Sequence, residues 1–138
     1  MKYPLLEIVH IAGFAILFGS IAMFDLRLLG LAPRLSVRSL ARRLLPWTLA
    51  SAVLVVPSGL EMFSDRTGDF IANTAFLVKM TLIMLAGCNA LAFHVGVYTS
   101  VGTWDRDAAT PLGARLHAAV SLALWLGVIG CGWLLANP

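Results

Sequence analysis

The amino-acid sequence predicts an all-α integral membrane protein, a four-helix bundle with up-down-up-down topology. Three observations support this fold class: an apolar composition, four long apolar segments, and short polar connections between those segments. Of the 138 residues, 59% are hydrophobic and 12% are charged, whereas soluble domains are roughly 45–50% apolar and about 25% charged. The mean hydropathy is +0.87. This composition excludes an ordinary soluble domain, and the length predicts one transmembrane domain over residues 1–138.

The four apolar segments are close to or above the roughly 20 residues that a helix needs to cross about 30 Å of hydrocarbon. The predicted spans cover residues 4–31, 44–63, 70–97 and 112–135. The connections between them are polar or basic and too short for a soluble domain. Short connections favour antiparallel neighbours, so we expect the spans to form an up-down-up-down bundle.

Basic residues predict the orientation of the bundle. Those at the first and third connections are Arg27, Arg34, Arg38, Arg42, Arg43, Arg106 and Arg115. The opposite side carries only Lys2 and Arg66. By the positive-inside rule, the first and third connections face the cytoplasm and both termini are periplasmic. We therefore expect a multi-pass protein of the bacterial inner membrane, in contact with the lipid bilayer. The net charge of +3 then follows from topology and indicates no nucleic-acid partner.

Three histidines and one lysine lie inside the apolar segments, at His10, Lys79, His94 and His117. An ionisable side chain in hydrocarbon is energetically unfavourable and marks a candidate functional site. At about 1.5 Å per residue, His94 and His117 fall at nearly the same depth, near the cytoplasmic ends of the third and fourth spans. His10 and Lys79 share a level nearer the periplasmic side. The ionisable residues therefore sort into two layers.

The inner layer predicts a haem b site, because neutral imidazole is a common ligand of haem iron. His94 and His117 are the first candidates for the iron ligands. His10, with a partner on another helix or another subunit, is the main substitute. Small residues on the third and fourth spans, among them Gly87 and Ala118, leave room for a porphyrin. The arginines predicted to hold its propionates are Arg115, Arg42, Arg43 and Arg27.

Two other interpretations of these inner residues stay open. His94 and His117 lie near the predicted membrane interface, where both imidazoles simply reach water. Asp25, near the inner end of the first span, either orients a ligand histidine or pairs with Arg27 or an arginine of the first connection.

The outer layer predicts an alternative function, copper handling or small-solute transport without haem. Methionine sulfur is a soft ligand that suits Cu(I). The candidate copper ligands are His10, Glu61, Met62 and Met80. In the haem interpretation, Lys79 and Glu61 instead supply charge compensation or proton access. A third interpretation is a cofactor-free accessory protein whose polar residues only set helix packing.

Small residues in two spans predict close helix contacts. Ala15-x-x-x-Gly19 in the first span, and glycines 127, 130 and 132 in the fourth, permit neighbouring backbones to approach. Such surfaces suit packing within the bundle and also self-association, so a homo-oligomer is expected.

Several strings resemble a family of small four-helix bacterial inner-membrane proteins. These strings are Phe24-Asp25-Leu26-Arg27-Leu28-Leu29-Gly30, Arg42-Arg43-Leu44-Leu45-Pro46-Trp47, Phe76-x-x-Lys79, and Asn89 with His94. The resemblance covers nearly the whole chain. More distantly, the architecture is similar to cytochrome b561-like and copper-resistance D-type membrane proteins, which implies a four-helix unit that carries haem b or handles copper. Three histidines are too few for the two bis-histidine haems of those cytochromes.

The function predicted from the sequence is a membrane-embedded haem b-binding protein in redox chemistry or electron transfer. The chain has no phosphate loop, Ser-His-Asp set, Cys-x-x-Cys or zinc-helix motif. This absence argues against a hydrolase or a nucleotide-dependent enzyme, and it leaves open whether the protein is a component of a membrane oxidoreductase. A quinone or a redox partner protein is the expected partner class.

Overall fold

The computed structural model describes residues 2–65, 68 and 71–136, except the side chains of residues 2, 3, 62, 65, 135 and 136. The predictions that involve Arg66 and the side chains of Lys2 and Met62 therefore lie outside the described residues. The α-helices are α1 (Lys2–Leu28), α2 (Val37–Asp65), α3 (Thr74–Val95) and α4 (Leu112–Ala136). A 3₁₀ helix, Val97–Thr103, follows α3. The described residues contain no strand, which confirms the all-α class.

Among the described residues, these four α-helices are long and apolar enough to cross a membrane. The membrane-compatible stretches are Pro4–Leu28, Val37–Glu61, Thr74–Val95 and Leu112–Leu134. Many large apolar side chains on them are exposed, for example Ile8, Val53 and Met84. Continuous exposed apolar surface of this kind is expected where lipid, rather than water, covers a protein. The fold is therefore that of a multi-pass membrane protein in a lipid environment.

Helix α2 begins at Val37, whereas the predicted span begins at residue 44. Its start is capped: the Ser36 hydroxyl accepts a hydrogen bond from the Ser39 N–H at 3.1 Å, and the Leu40 N–H donates to the Ser36 carbonyl at 2.9 Å. Ser is a favoured residue at this position because its oxygen satisfies a free N–H of the first turn. As a result Arg38, and the arginines that follow it, lie on a helix and not in a loop.

The helices pack in the spatial order α2, α1, α4, α3, with α1 in contact with α2 and α4, and α3 in contact with α4. One link between α1 and α2 is a hydrogen bond between the hydroxyls of Ser20 and Thr48, at 2.7 Å. In the part of the chain that the structure describes, α2 and α3 are not closely packed on each other. A cleft is left between them.

Gly13 lies at a close contact between α1 and α2. A Cβ atom at this position would lie 3.0 Å from Val55 Cγ2 and 3.1 Å from Leu54 Cβ. A Cβ at Gly19, by contrast, would have no neighbour within 4 Å. Within the bundle, Gly19 therefore makes no close helix contact, and the alternative of self-association at Ala15-x-x-x-Gly19 stays a prediction. In α4, Gly127 approaches Leu82, whereas Gly130 and Gly132 have open space.

Gly13→Val is expected to reduce the free energy of unfolding by about 1–3 kcal/mol, because the added side chain forces two packed helices apart. Gly19→Val is the matched control, since it makes the same change on the same helix without a neighbour to displace. Unfolding of the purified protein in mixed micelles measures both values. Equal losses for the two variants would contradict the assigned contact.

The buried core lies at the end of the bundle that carries the first connection, residues 29–36, and the third connection, residues 96–111. Its members are Leu28, Val37, Phe93, Val101, Trp104, Ala114 and Ala118. The two connections touch directly, because the Asp107 N–H donates to the Pro33 carbonyl at 2.8 Å and the Val37 N–H donates to the Asp105 carbonyl at 3.1 Å. We call this end of the bundle the loop end.

Arg27, in the last turn of α1, holds the first and third connections together. Its side chain is 2% exposed. Nε donates to the Leu35 carbonyl at 2.9 Å, and Nη2 donates to the carbonyls of Pro33 at 3.3 Å and Asp105 at 3.2 Å. Carbonyls in irregular connections have no helical partner, and a guanidinium with five donors in a fixed fork satisfies several at once. Arg27 is therefore a structural anchor of the loop end.

The Asp105 carboxylate, in the third connection, caps the start of α2. It accepts hydrogen bonds from the Ser36 hydroxyl at 2.7 Å and from the Arg38 N–H at 2.8 Å. Partial burial alone would raise the pKa of Asp105, but these hydrogen bonds and the charges of Arg38 and Arg106 outweigh it. The pKa of Asp105 is consequently below its usual value, because the folded protein favours the ionised form.

The contribution of Asp105 to stability is expected to depend on pH. Because the pKa of Asp105 is lower in the folded state, its ionised carboxylate stabilises the fold fully above the ordinary Asp pKa of about 3.9. This stabilisation is lost as the pH falls through the pKa of the folded state. Asp105→Asn should therefore lower the free energy of unfolding by about 1 kcal/mol at neutral pH and by much less in strong acid. Denaturant titrations at the two pH values test this, with the exposed Asp107→Asn as control. A loss that is independent of pH would contradict it.

Candidate cofactor site

A cavity of about 540 Å³ occupies the cleft between α2 and α3, with α1 and α4 behind it. Its volume is within the roughly 300–1,000 Å³ typical of small-molecule and cofactor sites. Most of its walls are apolar, including the small residues Ala86, Gly87, Ala90 and Ala118. The side chains with polar atoms in its lining are Ser20, Asp25, Arg42, Thr48, Asn89, His94, Tyr98, His117, Ser121 and Trp125. The structure thus brings His94 and His117 to one cavity.

His117 is held by Asn89 across the α3–α4 interface. The Asn89 Nδ2 donates to the His117 carbonyl at 2.9 Å, and His117 Nδ1 lies 2.8 Å from Asn89 Oδ1. Because Oδ1 only accepts hydrogen bonds, the proton of the neutral imidazole is on Nδ1. The lone pair is then on Nε2 and is available to a ligand or metal. An Nδ1 partner of this type fixes the tautomer and the ring orientation of metal-binding histidines.

His94 has the same tautomer by a different contact. Its Nδ1 lies 2.8 Å from the carbonyl oxygen of Ala90, one helical turn earlier. Since this oxygen only accepts, Nδ1 is again the donor and Nε2 has the lone pair. Unlike His117, which is half-buried, His94 is exposed at the edge of the cavity.

Phe93 joins the two imidazoles into one aromatic cluster. Its ring is 3% exposed, and its centroid lies 5.3 Å from that of His94 and 5.8 Å from that of His117, edge to face in both cases. Tyr98 and Phe24 pack on the same ring, with centroids at 5.5 and 5.9 Å. Contacts of this kind restrict the rotamers of the two histidines.

Asp25 lies in the cavity wall on α1 and is 5% exposed. It forms a hydrogen bond with the Ser121 side chain of α4, whereas its Oδ2 has no hydrogen-bond partner among the described residues. It makes no ion pair with Arg27 or with any other arginine there. Buried carboxylates are nearly always paired, so this oxygen is a candidate contact for a molecule in the cavity.

The four arginines predicted to hold propionates take different positions. Only Arg42 lines the cavity. Arg27 is committed to the carbonyls of the connections, with Nη1 unpartnered in the described structure. Arg43 is exposed and lines a second, smaller cavity at the loop end. Arg115 is exposed on α4 and does not line the first cavity.

His10 lies apart from this cavity, against α2. Its Nδ1 is 2.9 Å from the Ser58 hydroxyl, and that hydroxyl donates to the Leu54 carbonyl at 2.6 Å. The Ser58 oxygen therefore accepts from Nδ1, which again leaves the lone pair on Nε2. Lys79 is close enough to interact electrostatically with His10, but neither residue lines the cavity that contains His94 and His117.

The residues proposed for copper have little supporting geometry in the described part of the chain. No group of three or more His, Cys, Asp or Glu side chains there could hold a metal ion. Met80 is 42% exposed, and the Met62 side chain lies outside the described residues. His10 Nδ1 is already bonded to Ser58.

Two features of the site were not predicted from the sequence: the position of Ser121, and the hydrogen bonds by which Asn89 holds His117. Ser121 and Asn89 are both polar residues inside apolar spans, which is the signal that would have identified them. Ser121 also lies one helical turn after His117, on the same face of α4. Asn89 was noted only as part of a family resemblance, because sequence spacing does not indicate which helix its amide faces.

Comparison of the chain with protein-family models, with characterised proteins and with solved structures finds no match. The site must therefore be interpreted from its own chemistry.

Proposed function

We propose that this protein binds haem b in the cavity between α2 and α3 and acts in membrane redox chemistry or electron transfer. His117 and His94 are the proposed iron ligands, and Arg42 is the proposed partner of a propionate. The observation that carries the proposal is that one apolar cavity contains two imidazoles, each with Nδ1 bonded to a carbonyl oxygen, which leaves Nε2 of the neutral ring as the ligand atom. Haem iron is bound by this form of histidine.

The surroundings of the two histidines support haem over a polar ligand. A porphyrin is flat and largely apolar, and the walls combine small residues with the aromatic rings of Phe24, Phe93 and Trp125. Arg42 supplies a cation at the edge, suited to a carboxylate. For the copper alternative, no group of three or more His, Cys, Asp or Glu side chains among the described residues could hold a metal ion.

The proposal includes a topology and a location. The contacts of Ser20 with Thr48 and of His10 with Ser58 follow opposite chain directions on α1 and α2, as an up-down-up-down bundle requires. The arginines at the loop end favour a cytoplasmic position for that end, with both termini periplasmic, in a bacterial inner membrane. Gly19, Gly130 and Gly132 have no neighbour within 4 Å and leave surface for a homo-oligomer. A quinone or a redox protein would be the partner.

The proposed function is tested by optical spectra of the detergent-purified protein, oxidised and then reduced with dithionite. Expression with a haem precursor and a pyridine haemochrome assay give the haem content. One b-type haem per chain with the sharp reduced α band of a bis-histidine centre is the expected result. Protein that stays colourless after expression with the precursor, and after incubation with haemin, would refute the proposal.

Asp25 is expected to tune the reduction potential of such a haem. A bis-histidine iron(III) porphyrin centre has a net positive charge, and a buried carboxylate nearby stabilises this oxidised form more than the reduced form. Asp25→Asn keeps the shape and the hydrogen bond to Ser121 but removes the charge. It should raise the midpoint potential by an amount on the order of tens of millivolts in a redox titration. The exposed Asp107→Asn is the control, and equal shifts for the two variants would exclude this role.

A further inference from the structure

A second, smaller cavity of about 200 Å³ lies at the loop end, among arginines that the haem proposal does not use. Arg34 reaches it from the first connection, Arg43 from α2, and Arg106 from the third connection. Ser36 and Ser39, at the start of α2, complete its polar lining. Three segments that are distant in sequence thus bring three guanidinium groups to one small space.

Within the described residues none of these three arginines makes an ion pair. The Asp105 carboxylate is bonded to Ser36 and Arg38. Asp105 interacts electrostatically with Arg106, but it does not line the cavity. Like charges brought together without a partner repel each other, and a bound anion removes this repulsion.

The lining also offers the donors that a phosphate group needs. Guanidinium groups bind phosphate oxygens through paired N–H donors. The Ser36 hydroxyl is committed to Asp105, whereas the Ser39 hydroxyl, which also lines the cavity, makes no hydrogen bond with the described residues. The N–H groups of Val37, Arg38, Ser39 and Leu40 are already bonded to Asp105 and Ser36. The site therefore depends on side chains and not on the helix terminus.

The cavity lies at one end of the membrane-compatible stretches, since the stretch in α1 ends at Leu28 and the stretch in α2 begins at Val37. Leu31 and Leu35 of the first connection are exposed beside it. Apolar side chains next to a cluster of cations are typical of surface that meets lipid headgroups. We propose that this cavity binds a phosphate group, supplied by an anionic phospholipid headgroup or by free phosphate.

The test uses the full-length protein with two probes. Binding of phosphatidic acid is measured in phosphatidylcholine nanodiscs by the rise in Tm and by lipid retained on the protein, and binding of inorganic phosphate is measured in detergent by equilibrium dialysis. Arg43→Gln combined with Arg106→Gln should weaken binding about tenfold or more. Arg115→Gln, an exposed arginine outside the cavity, should leave it unchanged. The variants change exposed side chains, so folding is expected to be preserved.

Every outcome of these binding measurements either supports or overturns the proposed phosphate site. Retention of phosphatidic acid with weak binding of inorganic phosphate supports the headgroup as the source, and binding of inorganic phosphate in detergent supports free phosphate. In both cases binding should fall as salt concentration rises. Binding of neither probe would overturn the proposal, as would a loss in Arg115→Gln as large as in the double variant. This outcome is independent of haem content, because none of the three arginines lines the larger cavity.

Discussion

His117→Ala is expected to abolish the bis-histidine spectrum of the reconstituted protein. The substitution removes an imidazole whose Nε2 is free and whose Nδ1 is held at 2.8 Å by Asn89. Loss of one axial ligand converts a six-coordinate haem to a five-coordinate one or prevents binding. The reduced α band should therefore disappear. The measurement is the reduced-minus-oxidised spectrum together with the haemochrome count.

Two further variants separate the loss of a ligand from the loss of the fold. Addition of imidazole to His117→Ala should restore part of the low-spin spectrum, because free imidazole can occupy the vacated ligand position. His10→Ala is the matched control, since His10 lies outside the cavity and contacts Ser58. If His10→Ala removes the α band and His117→Ala does not, the assignment of the ligands is wrong and His10 is the ligand.

Asn89→Leu should weaken haem binding by about 10- to 100-fold without removing either ligand, as is typical when the hydrogen-bond partner of a ligand histidine is lost. This effect and the effect of His117→Ala both depend on the hydrogen bonds between Asn89 and His117. A leucine of similar size keeps the packing between α3 and α4. An unchanged affinity would show that the imidazole needs no such support.

Arg27→Met is expected to destabilise the protein. It removes the guanidinium donor from the Leu35 carbonyl, and it removes one of two donors from the carbonyls of Pro33 and Asp105, which keep the Asp107 and Val37 N–H groups. A polar group that loses its partner costs about 1–3 kcal/mol. We therefore expect a loss of about 1–3 kcal/mol in the free energy of unfolding. Unfolding of the haem-free protein in mixed micelles measures it.

Arg38→Met is the control for Arg27→Met. The Arg38 side chain is 54% exposed, and its ion pair with Asp105 is long, at 3.8 Å. An exposed ion pair of this type contributes less than about 1 kcal/mol. Arg27→Lys should retain little of the stability, because an ammonium cannot reproduce the planar fork of donors. Similar stabilities for Arg27→Met and Arg38→Met would contradict the anchor role.

The sequence could not predict which part of the protein each inward-facing side chain contacts. Arg27 and Arg42 were both predicted to hold propionates, yet Arg27 faces the backbone of two connections and Arg42 lines the cavity. Ala15 and Gly19 were predicted to permit close contacts of the first span, and within the bundle it is Gly13 that packs closely on α2. These helices are apolar on nearly all sides, so the sequence has no polar stripe that indicates which face turns towards a neighbour.

The depth of residues was easier to predict than their direction. His94 and His117 were placed at one level from the rise per residue, and they line the same cavity. His10 was placed at another level, and it lies outside that cavity. Depth depends only on position along a helix and on the width of the hydrocarbon region, both of which are known in advance.

The sequence by itself therefore determined the helical class, the four membrane-compatible segments, and the concentration of arginines at one end. Hydrocarbon requires that every backbone hydrogen bond be made inside a segment, so long apolar segments have to be helices. Only the tertiary structure decided that Asn89 holds His117, that Asp25 retains an unpaired oxygen, and that three arginines share a second cavity. Those features depend on the rotation of each helix about its axis and on contacts between distant segments, and both are set by packing.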